Sequence, residues 1–107
     1  MAVDLTDRTP DTADVEITLD TNDVAFELKL PRWANKIILQ PATNDIRVAY
    51  SGTDGAALVA GVLHQADFTV EYSIVKRRRQ AHPILPTPVL YLQTAAQSTT
   101  VNCELVR

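Results

Sequence analysis

From Val15 onward the apolar residues fall at every second position. Val15, Ile17 and Leu19 alternate with Glu16, Thr18 and Asp20. After the turn-forming Thr21-Asn22-Asp23, Val24, Phe26, Leu28 and Leu30 alternate with Ala25, Glu27 and Lys29. Successive side chains of a strand point to opposite sides, so this period gives each segment one apolar face. A helix needs spacings of three and four, and these segments do not keep them. Pro31 ends the second strand because it donates nothing to a ladder.

The pattern continues along the chain. Lys36 to Gln40 reads as a third strand, closed by Pro41, and Asp45 to Ser51 as a fourth with Ile46, Val48 and Tyr50 inward. Gly52 to Gly55 forms a turn. Ala57 to Leu63 is predicted as a buried strand with a bend at Gly61, since the glycine weakens a helix. Phe68 to Val75 alternates strictly, with Phe68, Val70, Tyr72 and Ile74 inward. Val89 to Gln93 and Thr99 to Val106 complete the series, the last with Val101, Cys103 and Leu105 inward. Eight short strands with turn signals between them predict an all-β fold, an antiparallel β-sandwich or jelly roll.

A chain of 107 residues is one domain, of a size at which one core hides roughly two-thirds of the unfolded surface. Residues 15–107 are assigned to the sandwich. Residues 1–14 are acidic and aperiodic, with Pro10 among them, and predict an extended arm that is mobile alone and orders against a partner. On this reading the arm is dispensable for folding. The charge is uneven: residues 1–30 hold eight acids against two bases, whereas residues 31–107 hold five acids against eight bases. A chain negative at one end and positive at the other can meet its own copies head to tail, so a homo-oligomer is expected.

The amino terminus has no apolar run and no early basic residue, which reads as no signal peptide. No stretch approaches the ~20 apolar residues of a membrane helix, so no membrane partner is expected. The single cysteine, Cys103, excludes an intramolecular disulfide and suits a protein made in the cytoplasm.

Catalytic chemistry leaves clusters of nucleophiles, bases or ligands, and the sequence has none. The two histidines, His64 and His82, stand apart and fit no CxxC, HxH or HExxH spacing, so neither metal nor other cofactor is expected. His64 and His82 are read as solvent-facing or hydrogen-bonded loop residues. Cys103 alternates with Val101 and Leu105, which makes it a small core residue. The three glycines build no phosphate loop. Trp33 either plugs one end of the sandwich or offers a contact to a neighbouring subunit or a sugar.

The run Lys76, Arg77, Arg78 and Arg79 stands out in a chain of net charge −3. Nucleic-acid faces usually gather basic residues from several elements, interleave stacking aromatics and belong to basic domains. None of that holds here. The run fits a solvated strand end that resists edge pairing, or a docking surface for an acidic protein partner.

The segment LPRWANKIILQPATNDIRVAYSGTDG, followed by LVAG, VLYLQT and STTVNCELV, resembles small β-sandwich virion proteins of tailed bacteriophages. The likeness spans roughly residues 30–107 and rests on the order of strands and turns. It implies a non-enzymatic capsid decoration (cement) protein, present in many copies on the virion, whose partner is the major capsid protein. Lys76–Arg79, Trp33 and the arm residues Asp4, Asp7 and Asp11 are the candidate contacts. A phage tail or fibre module, or a carbohydrate-binding sandwich, is the alternative. A jelly-roll enzyme of the cupin kind lacks its histidine pair here.

Overall fold

The computed structural model describes residues 2–74, 88–96 and 98–107. The alternating segments form strands: β1 Val3–Asp4, β2 Asp14–Leu19, β3 Phe26–Lys29, β4 Lys36–Pro41, β5 Ile46–Ala49, β6 Val62–His64, β7 Val70–Ser73, β8 Val89–Thr94 and β9 Thr99–Val106. Among the described residues the only helical piece is a 3₁₀ turn, Pro10–Thr12. The fold is an all-β sandwich, as the sequence predicts. One sheet runs β1-β3-β8-β5-β6 and the other β2-β9-β4-β7.

The pairing is nested. β2 pairs with β9, β3 with β8, β4 with β7 and β5 with β6, as though one long hairpin were doubled over at residues 50–61. Two more antiparallel pairings, β4 with β9 and β5 with β8, then complete each sheet. Among the described residues only β1 runs parallel to its neighbour, β3.

The inward residues meet between the sheets. Leu19, Leu28, Leu30, Ile37, Leu39, Ile46, Leu90, Leu92, Val48 and Val101 are fully buried there. Burying one such side chain contributes about 1.5–3 kcal/mol relative to leaving it in water. Cys103 and Leu105 join them on β9, the strand phase that the alternation predicts. Among the described residues Thr94 and Thr99 are the buried polar ones, and they satisfy each other: their hydroxyls lie 2.7 Å apart at the β8–β9 turn.

Three expectations are corrected. Ala57–Leu63 is not a buried strand. Residues 50–61 instead fold over the outer face of β3 and β8, held by Glu27 N–H to Asp54 Oδ1 (3.0 Å), Leu58 N–H to the Gln93 side chain (2.6 Å) and Ala25 N–H to Ala56 O (2.8 Å). Only Val62–His64 pair, on the exposed edge of β5. Gly61 makes that junction possible, because its φ is +129° and a Cβ there would come within 2.7 Å of the Val48 carbonyl oxygen.

Tyr50 and Phe68 do not point into the core. β5 stops at Ala49 and β7 starts at Val70, so both aromatics lie beyond the paired strands, 45% and 64% exposed. Periodicity continued past the end of a strand misplaces them.

The N-terminal segment is extended, but it is docked on the body rather than standing off it. Val3 and Asp4 add a parallel edge strand to β3, and Leu5 N–H donates to Lys29 O at 2.8 Å. The Leu5 side chain is 3% exposed and belongs to the core cluster. The acidic composition of residues 1–14 hides this one apolar anchor, because an isolated leucine carries no period.

Candidate functional site

The segment from Thr6 to Asp14 crosses one end of the sandwich and meets Trp33. Trp33 follows Pro31 in the turn that leads into β4, so its indole sits at the rim where the chain changes sheets. Its ring N–H donates to the Arg8 carbonyl at 2.7 Å, while its half-buried body packs on the core. A tryptophan with one apolar side and one donor suits this boundary. Leu105 N–H donates to the Ala13 carbonyl at 3.0 Å and fixes the far end of the segment. Trp33 is thus a plug that also holds the N-terminal segment down.

Around it lies a hollow of about 390 Å³ lined by Asp11, Asp14, Trp33, Glu104 and Arg107, with Pro10 and Thr12 of the 3₁₀ turn. Asp11 enters the hollow because Pro10 opens the turn, where a missing N–H costs nothing. Asp4 lies elsewhere, on β1. Its carboxylate accepts hydrogen bonds from the Thr6 hydroxyl and the Thr6 N–H, and these hold its pKa below the ordinary 3.8. Asp7 is exposed between the two. The structure therefore brings Trp33 and Asp11 together in one hollow, whose lining does not include Asp4 or Asp7. Lys76, Arg77, Arg78 and Arg79 lie outside the described residues, as does His82.

A second hollow, about 470 Å³, opens on the outer face of the four-stranded sheet. Its lining includes Asp14, Glu16, Ile38, Gln40, Thr69, Asn102 and Glu104. The register explains the grouping: Asp14 stands opposite Glu104, Glu16 opposite Asn102, and Ile38 and Gln40 opposite Glu104 and Asn102 on the next strand. Sequence reasoning missed this acid and amide face. Alternation places each residue outward, but only the order of strands sets Glu16, Asn102 and Gln40 side by side, with Asp14 and Glu104 in the next row.

Cys103 is buried, and burial pushes its thiol up to about 12, so no thiolate forms near neutrality. His64, at the end of β6, is half-buried and hydrogen-bonded through Nε2 to the Tyr72 hydroxyl. Its ring stands edge-on to Tyr72 at 5.5 Å, and Tyr72 stands likewise against Tyr50 at 5.6 Å. Burial lowers the His64 pKa from 6.5. This histidine is hydrogen-bonded, as one of the two readings expects, but it ends strand β6 rather than lying in a loop. Among the described residues no group of three or more His, Cys, Asp or Glu side chains is placed to hold a metal ion, and no helix is long and apolar enough to cross a membrane.

Comparison with known proteins finds no match for this chain among family models, curated proteins or solved structures.

Proposed function

We propose that the protein is a non-enzymatic virion component of a tailed bacteriophage, a capsid decoration (cement) protein that binds the outside of the shell and bridges its subunits. The observation that carries this reading is the nested strand pairing. Eight strands paired 2–9, 3–8, 4–7 and 5–6 in two sheets follow the strand order expected of a jelly roll, an architecture used by viral capsid and lectin domains. The resemblance of residues 30–107 to small virion sandwiches points the same way. An acidic outer sheet, on a chain whose sequence also carries the basic run Lys76–Arg79, supplies the opposed charges that bridging an alternating lattice needs.

The test is addition of purified protein to shells assembled from the major capsid protein of the same phage, followed by sedimentation and electron microscopy. The expected result is regular extra density on the shell and co-sedimentation that saturates. Replacement of Lys76, Arg77, Arg78 and Arg79 by Ser should lower that occupancy. A protein that stays in the supernatant at all concentrations overturns the proposal.

One observation favours a carbohydrate-binding module as a second reading. Trp33 lines a hollow together with the carboxylates of Asp11, Asp14 and Glu104, and an aromatic beside carboxylates suits a sugar ring. Titration with oligosaccharides, followed by the fluorescence of the lone Trp33, tests it. A saturable change lost in Asp11→Ala supports this reading, and a flat titration removes it.

A further inference from the structure

Residues 65–69 carry the chain from β6, an edge of the five-stranded sheet, to β7, an edge of the four-stranded one. His64 ends β6 opposite Ile46 of β5, and Tyr72 stands on β7 opposite Ile37 of β4. Both side chains are half-buried, and they meet across the gap between the sheets, where His64 Nε2 is hydrogen-bonded to the Tyr72 hydroxyl. Just beyond β5 the Tyr50 hydroxyl donates to the Ser73 carbonyl at 2.8 Å. These two bonds, with the edge-on rings of His64, Tyr72 and Tyr50, tie the edge strands of different sheets together. Backbone ladders run only within a sheet and cannot do this.

His64 is the member of the cluster whose charge changes near neutral pH. When neutral, its Nε2 accepts the Tyr72 O–H proton. When protonated, Nε2 becomes a donor, so the phenol must turn its own proton away and a full charge sits half-buried beside the Tyr72 ring. Burial first, and then Tyr50, raises the Tyr72 pKa, so the phenol itself stays protonated.

The charged groups on the neighbouring elements are engaged or exposed. Asp45, before β5, accepts from the Ala66 N–H at 2.9 Å, and Arg47 of β5 donates to the Gly61 carbonyl at 3.2 Å. Glu71 lies on the face of β7 opposite Tyr72, with Lys36 of β4 at 3.5 Å. Asp67 is exposed in the turn. None of the three carboxylates offsets the burial that holds the His64 pKa below 6.5.

We propose that His64 and Tyr72 form an acid-sensitive clasp, which holds β6 to β7 while the imidazole is neutral and loosens when it takes a proton. The sign follows from linkage. A histidine whose pKa is lowered in the closed form favours closing above its ordinary value, and that contribution is lost as pH falls through the lowered one. The clasp is independent of the virion reading, since it acts within a single chain.

The experiment is nuclear magnetic resonance of the full chain, in which the His82→Gln variant identifies the His64 imidazole signal. His64 should titrate below 6.5. Amide exchange in the β5–β6 ladder, corrected for its intrinsic dependence on pH, is then compared at about pH 7.5 and about pH 5.5, either side of the ordinary histidine range. Protection there should fall on acidification by up to about tenfold for each pH unit separating the His64 midpoint from 6.5, while β9, at the centre of its sheet, stays protected. His64→Gln should abolish the fall. Tyr72→Phe should lower β5–β6 protection already at the higher pH, and circular dichroism checks that each variant keeps its sheets. A His64 midpoint at or above 6.5 overturns the proposal. So does native protection that is equal at the two pH values, or a fall that persists unchanged in His64→Gln; the first two readings need only the native fold.

Discussion

At the residue scale, burial is the first cause of the raised pKa of Cys103 and of Tyr91. Cys103 sits among β9's inward residues, 3% exposed. Cys103→Ala removes little volume and should lower the thermal midpoint only slightly. Cys103→Asp places a carboxylate where nothing pairs with it, at a cost of several kcal/mol, on the order known for unpaired buried charge. A thiol reagent should label Cys103 only after denaturant is added. Tyr91 offers a pH test. Burial, then its hydrogen bond to Glu27 (2.9 Å), then the charges of Glu27 and Asp54 raise its pKa from 10.0 to about 12. A phenol whose folded pKa is raised stabilises the fold below the unfolded value and loses that contribution as pH rises. Denaturation midpoints should therefore fall between pH 10.0 and about 12. Tyr91→Phe should flatten that fall while costing about 1 kcal/mol at neutral pH for the lost hydrogen bond.

Elements show where local pattern ends and tertiary context begins. Leu5→Ala should destabilise the protein by about 2–5 kcal/mol, the range for a buried leucine, and deletion of residues 2–13 should cost at least as much. Chemical denaturation of both variants checks this, and it reverses the expectation drawn from acidic composition alone. β2, β3, β4, β5, β8 and β9 were legible because each buries one face and leaves the other in water, which writes period two into the sequence. β6 was mis-sized for the opposite reason: residues 50–61 are attached through hydrogen bonds to Gln93, Glu27 and Ala25, contacts that leave no apolar period. The role of Trp33 was legible only in part. Its position before β4 marked a rim, but the Arg8 carbonyl that it holds is 25 residues away. The outer acid and amide face needed strand order, which alternation cannot supply.

For the whole molecule, charge and topology argue different points. The basic run Lys76–Arg79 belongs to a chain that is otherwise strongly acidic, and long-range repulsion opposes a polyanion. Retention on DNA should be weak even at low salt. Four phosphate contacts would give affinity falling with a log–log salt slope of roughly −3 to −4, and that slope, lost when all four residues become Ser, would mark a nucleic-acid protein instead. Fluorescence anisotropy with a labelled oligonucleotide at several salt concentrations distinguishes the outcomes.

The nested pairing also dictates an order of events in time. The innermost pair, β5 with β6, joins residues 14 to 18 positions apart, whereas Asp14 of β2 waits for Glu104 of β9. Loop closure makes near contacts the first to form, so the sandwich should assemble from its tip outward, slowly for its length because most pairings are distant. β9 lies at the centre of its sheet, between β2 and β4. During synthesis that sheet has a gap in the middle until residues 99–106 have emerged. A nascent chain arrested before β9 should be readily proteolysed, and one arrested after it, with its C-terminus clear of the ribosome, should resist.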